Sequence, residues 1–100
     1  MIRHVILWQL KEGYTEEEKT RILDTMKARL EALPGKVPGL RSLSVQIRPL
    51  PSSNADAMLD SVLDDAQALE GYRVHPEHVA VADACVRPFV KSRVCMDFEI

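Results

Sequence analysis

The stretch Ile2–Leu10 most narrows the folds open to this chain. It alternates, yet both of its faces are apolar: His4, Ile6, Trp8 and Leu10 point one way, Val5 and Leu7 the other. Such a strand belongs inside a sheet, with something covering each side. Any architecture for this chain must give it a neighbour on both edges.

The segments that follow supply those neighbours. Lys11–Tyr14 turn the chain, with Gly13 free to take positive φ. Thr15 followed three residues later by Glu18 forms a capping box, and Glu16–Glu18 suit the positive end of a helix dipole. Ile22, Leu23, Met26, Leu30 and Leu33 then recur at helical spacing until Pro34-Gly35 stops the helix. Leu40–Arg48 alternates with Leu43, Val45 and Ile47 on one side and serines and a glutamine on the other, which predicts an edge strand. After the loop Pro49–Asn54, Asp56–Leu63 reads as a second interior strand, with Leu59, Ser61 and Leu63 opposing Met58, Asp60 and Val62.

Asp64-Asp65 cap a short helix in which Leu69 and Tyr72 share a face. A second helical piece runs from Pro76 to about Arg87. Ser92–Ile100 closes the chain as a strand, with Val94, Met96, Phe98 and Ile100 against Arg93, Cys95, Asp97 and Glu99.

The order β-α-β-β-α-β, with the first and third strands inside, predicts an α+β, ferredoxin-like subunit over residues 1–100, built on a four-stranded antiparallel sheet. Right-handed crossovers put the helices on one face. The other face is then bare, and His4, Ile6, Trp8, Met58 and Val62 are expected to form it. A contiguous apolar patch of that kind calls for a second copy related by a twofold axis.

Composition removes several functions. A net charge of −2 leaves no basic footprint for nucleic acid. The longest apolar run, Val5–Trp8, is far short of a membrane span, and no leader segment is visible. Cys85 and Cys95 match no zinc or redox spacing and read as reduced residues of a cytoplasmic protein.

The densest chemistry lies in Gly71–His78, which holds Tyr72, His75 and His78 around Pro76. Proline suits the first turn of a helix, so the expected geometry is a helix carrying Tyr72, a break at His75, and a new helix from Pro76. His78 then sits in a first turn, where the dipole disfavours imidazolium and leaves a neutral ring able to accept a proton. His75, extended before proline, reads as a capping residue.

The chain resembles the stress-responsive dimeric α/β-barrel (Dabb) family. The resemblance rests on Ile2–Trp8, Leu33-Pro34-Gly35-Lys36-Val37-Pro38-Gly39-Leu40, Tyr72-Arg73-Val74-His75-Pro76-Glu77-His78-Val79 and Arg93–Phe98. It implies a homodimer whose two sheets face one another to make a barrel, and for most members no assigned reaction. It also implies, through a plant polyketide cyclase of the family, that His78 and Tyr72 promote an aldol-type ring closure, with His4 lining the pocket.

Three functional readings follow. One is a dimer that binds a small apolar or carbonyl-containing molecule without turnover. Another is a proton-transfer enzyme with His78 as general base and Tyr72 orienting it or stabilising an enolate. The third is a haem- or oxygen-using role framed by Trp8 and the methionines, residues that otherwise read as dimer core. His78 has a structural alternative too, as a histidine bonding a backbone carbonyl at the helix break. His4, Ile6, Trp8 and Asp60 are the expected ligand-binding residues, with Asp60 expected to approach His4 or another cavity polar group and one of them shifted in pKa. The family resemblance implies an apolar residue where Asp60 stands. The three histidines with Asp60 have no metal signature, and neither metal nor cofactor is expected.

Overall fold

A computed structural model describes residues 1–100. Strand β1 (Ile2–Leu10) leads into helix α1 (Glu16–Glu31), followed by β2 (Leu40–Gln46) and β3 (Ala57–Leu63). Helix α2 (Ala66–Val74) and helix α3 (Pro76–Val81) come next; α3 runs straight into a π-helical turn, Ala82–Val86, and β4 (Val90–Glu99) ends the fold. All neighbouring strands are antiparallel, in the order β2-β3-β1-β4. The fold is ferredoxin-like, with β1 and β3 inside as their two-faced patterns require. No helix is long and apolar enough to cross a membrane.

The local signals act as their chemistry dictates. Thr15 Oγ1 accepts from the Glu18 amide at 3.1 Å and Glu18 Oε1 accepts from the Thr15 amide at 2.9 Å, closing the capping box. At the far end of α1, the Glu31 carboxylate accepts from Lys27 Nζ at 2.8 Å and from the Val45 amide at 2.9 Å, tying the helix to β2. Asp65 caps α2 through the Ala68 amide at 2.8 Å. The core is one cluster in which Met26, Leu30 and Leu33 meet Val45, Leu59, Leu63 and Tyr72.

Register decides the faces, and here one expectation fails. Opposite residues of antiparallel strands share a face. His4 lies opposite Ser61, Ile6 opposite Leu59 and Trp8 opposite Ala57, so these three β1 residues point under the helices and are buried. The open face instead carries Val5, Leu7, Met58 and Val62, joined by Val94, Met96 and Phe98 of β4. Of the expected bare patch only Met58 and Val62 belong there. Each strand's alternation was sound; the offset between strands, which no single strand encodes, assigned the wrong halves to each other. Val94 and Met96 stay 64% and 66% exposed on that face.

Two glycines give the fold a sharp test. Gly35 and Gly39 both have positive φ, but a Cβ on Gly39 would lie 2.6 Å from Ala68 Cβ, whereas one on Gly35 meets nothing within 4 Å. Gly35→Ala should cost about 1–2 kcal/mol from the backbone alone. Gly39→Ala adds overlap with α2 and should cost about 2–4 kcal/mol. Equal losses in urea melts of the two variants would mean that the α2 contact exerts no constraint.

Candidate functional site

The inner sheet face and the helices enclose a cavity of about 370 Å³. Its floor is β1, through His4, Ile6 and Trp8, with Leu59 of β3 and Leu30 of α1 beside them. Tyr72, Arg73 and His78 come from the junction of α2 and α3, Ala82, Val86 and Arg87 from the π turn and its end, and Arg93 from β4. The site is therefore assembled from nearly every element of the subunit.

The α2–α3 junction has the expected form. His75 adopts φ −64° and ψ 132°, ending α2, and its Nδ1 accepts from the Glu77 amide at 3.1 Å to cap α3. Tyr72, in the last turn of α2, is 1% exposed, and its hydroxyl has no hydrogen-bond partner. His78 stacks on the phenol with ring centres 4.1 Å apart and planes 28° apart. His4 meets the same phenol edge-on at 5.9 Å. Tyr72 is thus the centre of the polar wall, with an imidazole on each side.

His78 Nδ1 lies 3.3 Å from the Arg73 carbonyl, which assigns the proton of the neutral ring to Nδ1 and leaves the Nε2 lone pair free. Burial lowers the pKa of His78, the bond to the Arg73 carbonyl opposes that shift, and the Arg87 guanidinium adds to it. The ring is neutral at pH 7, as expected from the sequence, though burial rather than the helix dipole is the chief cause. The structural role, a bond to a backbone carbonyl at the break, coexists with a free Nε2. Burial also raises the Tyr72 phenol well above its ordinary range, against a weaker pull from Arg93. Tyr72 is a proton-bearing donor.

Asp60 does not belong to the site. It lies opposite Val5 on the open face, where Oδ1 sits 3.1 Å from Arg3 Nε as an ion pair without the alignment of a hydrogen bond. The carboxylate that reaches His4 is Asp97, directly opposite it on β4, which accepts a hydrogen bond from His4 Nδ1. Cys95 approaches both, 3.7 Å from His4 Nδ1 and 3.6 Å from Asp97 Oδ1, so that these three residues bring metal-type donor atoms within 4.8 Å of one another. Burial first, then the Asp97 carboxylate, raises the Cys95 thiol pKa and keeps it protonated. Trp8, read as dimer core or ligand frame, is buried beneath the helices and walls the cavity.

Sequence reasoning missed Arg87, Arg93, Asp97 and Cys95 as site residues. The signal for three of them was present: Arg93, Cys95 and Asp97 share one face of the last strand, and pairing that strand with β1 brings them to Trp8, Ile6 and His4. Arg87 depends on the π turn, closed by the Arg87 amide donating to Ala82 at 2.8 Å, and no spacing in the sequence announces that turn.

Fold and site together define a ferredoxin-like subunit with a cavity under its helices and a bare sheet face. The model of the stress responsive A/B barrel domain matches residues 2–100, and the chain belongs to that family. An uncharacterized protein of Streptomyces coelicolor is 36% identical over 84 residues, covering 80% of this chain and 81% of its own. A dimeric protein of unknown function from Bacteroides fragilis superposes with a TM-score of 0.92 at 30% identity, over 99% of this chain and 95% of that one. A dimeric ferredoxin-like protein of unknown function from Thermobifida fusca gives 0.81 at 25%, over 99% and 90%. The fold alone extends to two enzymes. Hydroxynitrile lyase from Passiflora edulis has a TM-score of 0.79 at 13% identity, over 99% of this chain and 92% of that one. SnoaB, a cofactor-independent oxygenase from Streptomyces nogalater, has 0.74 at 14%, over 99% and 91%.

Two measurements check the site. Removing a buried hydroxyl that bonds nothing should be neutral or stabilising, so Tyr72→Phe is expected to leave the ligand-free protein within about 1 kcal/mol of wild type or above it; a larger loss would reveal a partner for the phenol. For His78, folding opposes protonation, so below the ordinary value of 6.5 the unfolded chain takes a proton that the folded one resists. Its contribution is complete above that pH and is lost as pH falls through the lowered folded value. His78→Gln should therefore flatten the stability profile between about pH 7 and 5 relative to wild type, and parallel profiles would exclude His78 as the source.

Proposed function

We propose that this chain acts as a homodimer whose subunit cavities each take a small molecule with a largely apolar body and one polar end. The observation that carries this reading is the Tyr72 hydroxyl, buried at the wall of a 370 Å³ cavity with no partner of its own. A buried polar group without a hydrogen bond costs about 1–3 kcal/mol, and a ligand oxygen placed against it offsets that cost. Ile6, Trp8, Leu30, Leu59 and Val86 receive the apolar part, while His4 and His78 flank the polar end. The bare face supports pairing, since Leu7, Val94, Met96 and Phe98 form a contiguous apolar surface of the kind a second copy covers. Dimeric relatives of the same fold support it as well. Two free thiols, Cys85 and Cys95, fit a reducing compartment such as the cytoplasm.

A second reading, proton-transfer catalysis on a carbonyl substrate, is favoured by the neutral His78 stacked on a protonated phenol. In that chemistry His78 Nε2 takes a proton from the carbon beside the carbonyl. The C–H electron pair moves into an enolate whose oxygen accepts from the Tyr72 hydroxyl, and the enolate carbon then attacks a second carbonyl or recovers the proton.

Both parts of the proposal can be tested. Met96→Asp puts a charge on the bare face and should convert a dimer to a monomer in light scattering at micromolar concentration; a wild-type protein that is already monomeric removes the pairing. A thermal-shift screen of small carbonyl compounds should raise the melting temperature of wild type, by mass action worth about 2.7 kcal/mol at a hundredfold excess over Kd. The shift should be lost in His78→Ala. Identical shifts in both proteins would take His78 out of the site.

A further inference from the structure

The cavity is lopsided in charge. Three arginines, Arg73, Arg87 and Arg93, line it, and no carboxylate does. Two of the three are already matched at the surface, Arg73 by Glu70 at 3.0 Å and Arg87 by Asp83. Arg93 takes part in none of the chain's ion pairs. It stands opposite Trp8 on the inner face of β4, and so faces the cavity beside the indole. The one nearby carboxylate of β4, Asp97, is engaged with His4.

An arginine at the cavity wall that makes no ion pair and a buried hydroxyl with no partner share one cavity, and one kind of group suits both. A carboxylate presents two acceptor oxygens: one can accept from the guanidinium, which its charge also attracts, and the other from the phenol, which donates. A phosphate would leave further charge against Leu30, Leu59 and Ile6, whose surface offers it nothing. With a single uncommitted cation, the match is to one negative charge.

From this geometry we infer that the ligand of the cavity is a small monocarboxylic acid with an apolar, preferably aromatic, body, and that Arg93 is the residue that selects the acid over its neutral counterpart. The inference rests on the reading of this cavity as a ligand site and adds the charge class. The acid group lies between Arg93 and Tyr72, and the body lies along Trp8 toward Leu30. Arg93 is exposed on an edge strand, so its replacement leaves the core untouched.

The test uses 2-naphthoate and its uncharged isostere 2-naphthamide, titrated calorimetrically into the full chain. Wild type should bind the acid at least tenfold more tightly than the amide, with the difference shrinking as salt is raised. Arg93→Gln should bring the acid down to the level of the amide and leave the amide unchanged, while Arg93→Lys keeps part of the preference. Thermal melts show in parallel that each variant is folded. Equal binding of acid and amide by wild type would overturn the charge inference and leave the cavity as a neutral ligand site. Binding of neither compound would overturn both together. Retention of the acid preference in a folded Arg93→Gln would overturn the role of Arg93.

Discussion

Everything in this subunit follows from how β1 is registered against its two neighbours. Its pairing with β3 sets His4 opposite Ser61, and its pairing with β4 sets His4 opposite Asp97. Ser61 then donates its hydroxyl to the His4 carbonyl at 3.1 Å, so a buried polar side chain is satisfied by the strand it adjoins. Moving either pairing by one residue would exchange the faces of a whole strand, sending Trp8 outward and Leu7 beneath the helices. The apolar bulk of Leu59, Leu63 and Val45 against α1 makes that exchange costly, because each would surrender a buried side chain worth about 1.5–3 kcal/mol.

The site occupies the place where the fold departs from its own local rules. A helix would continue past Val74 were it not for Pro76, and α3 would continue as an α-helix were it not for the π turn at Ala82–Val86. Each irregularity re-aims side chains: the first stacks His78 on Tyr72, the second brings Ala82, Val86 and Arg87 to the cavity wall. The phenol left without a partner, in a core where the other buried polar side chains, His4 and Ser61, are both hydrogen-bonded, is the energetic sign of the same departure. Buried groups are left unsatisfied where something other than stability sets the residue.

The sheet divides its work between its faces. The inner face builds the core and the cavity; the outer one keeps Val94, Met96 and Phe98 in the open around the Arg3–Asp60 ion pair. The edge strand β4 serves both, sending Arg93, Cys95 and Asp97 inward and its apolar residues outward. A surface for pairing and a site for chemistry are thus printed on alternate residues of a single strand, and a change at one need not disturb the other.

The sequence by itself determined the elements, their order and the junction chemistry. Alternation in Ile2–Leu10 and Asp56–Leu63 identified the inner strands, the Thr15–Glu18 box started α1, and Pro76 fixed the break that presents His78. These are local effects, set by sterics, capping and periodicity within a few residues. Which half of β1 shares a face with which half of β3 is not local, so alternation alone does not reveal that Asp97, rather than Asp60, lies beside His4. Only the tertiary structure decided the inter-strand offset, the depth of Tyr72 and the placing of Arg93 at the cavity wall, because each depends on atoms distant in the chain being packed against one another.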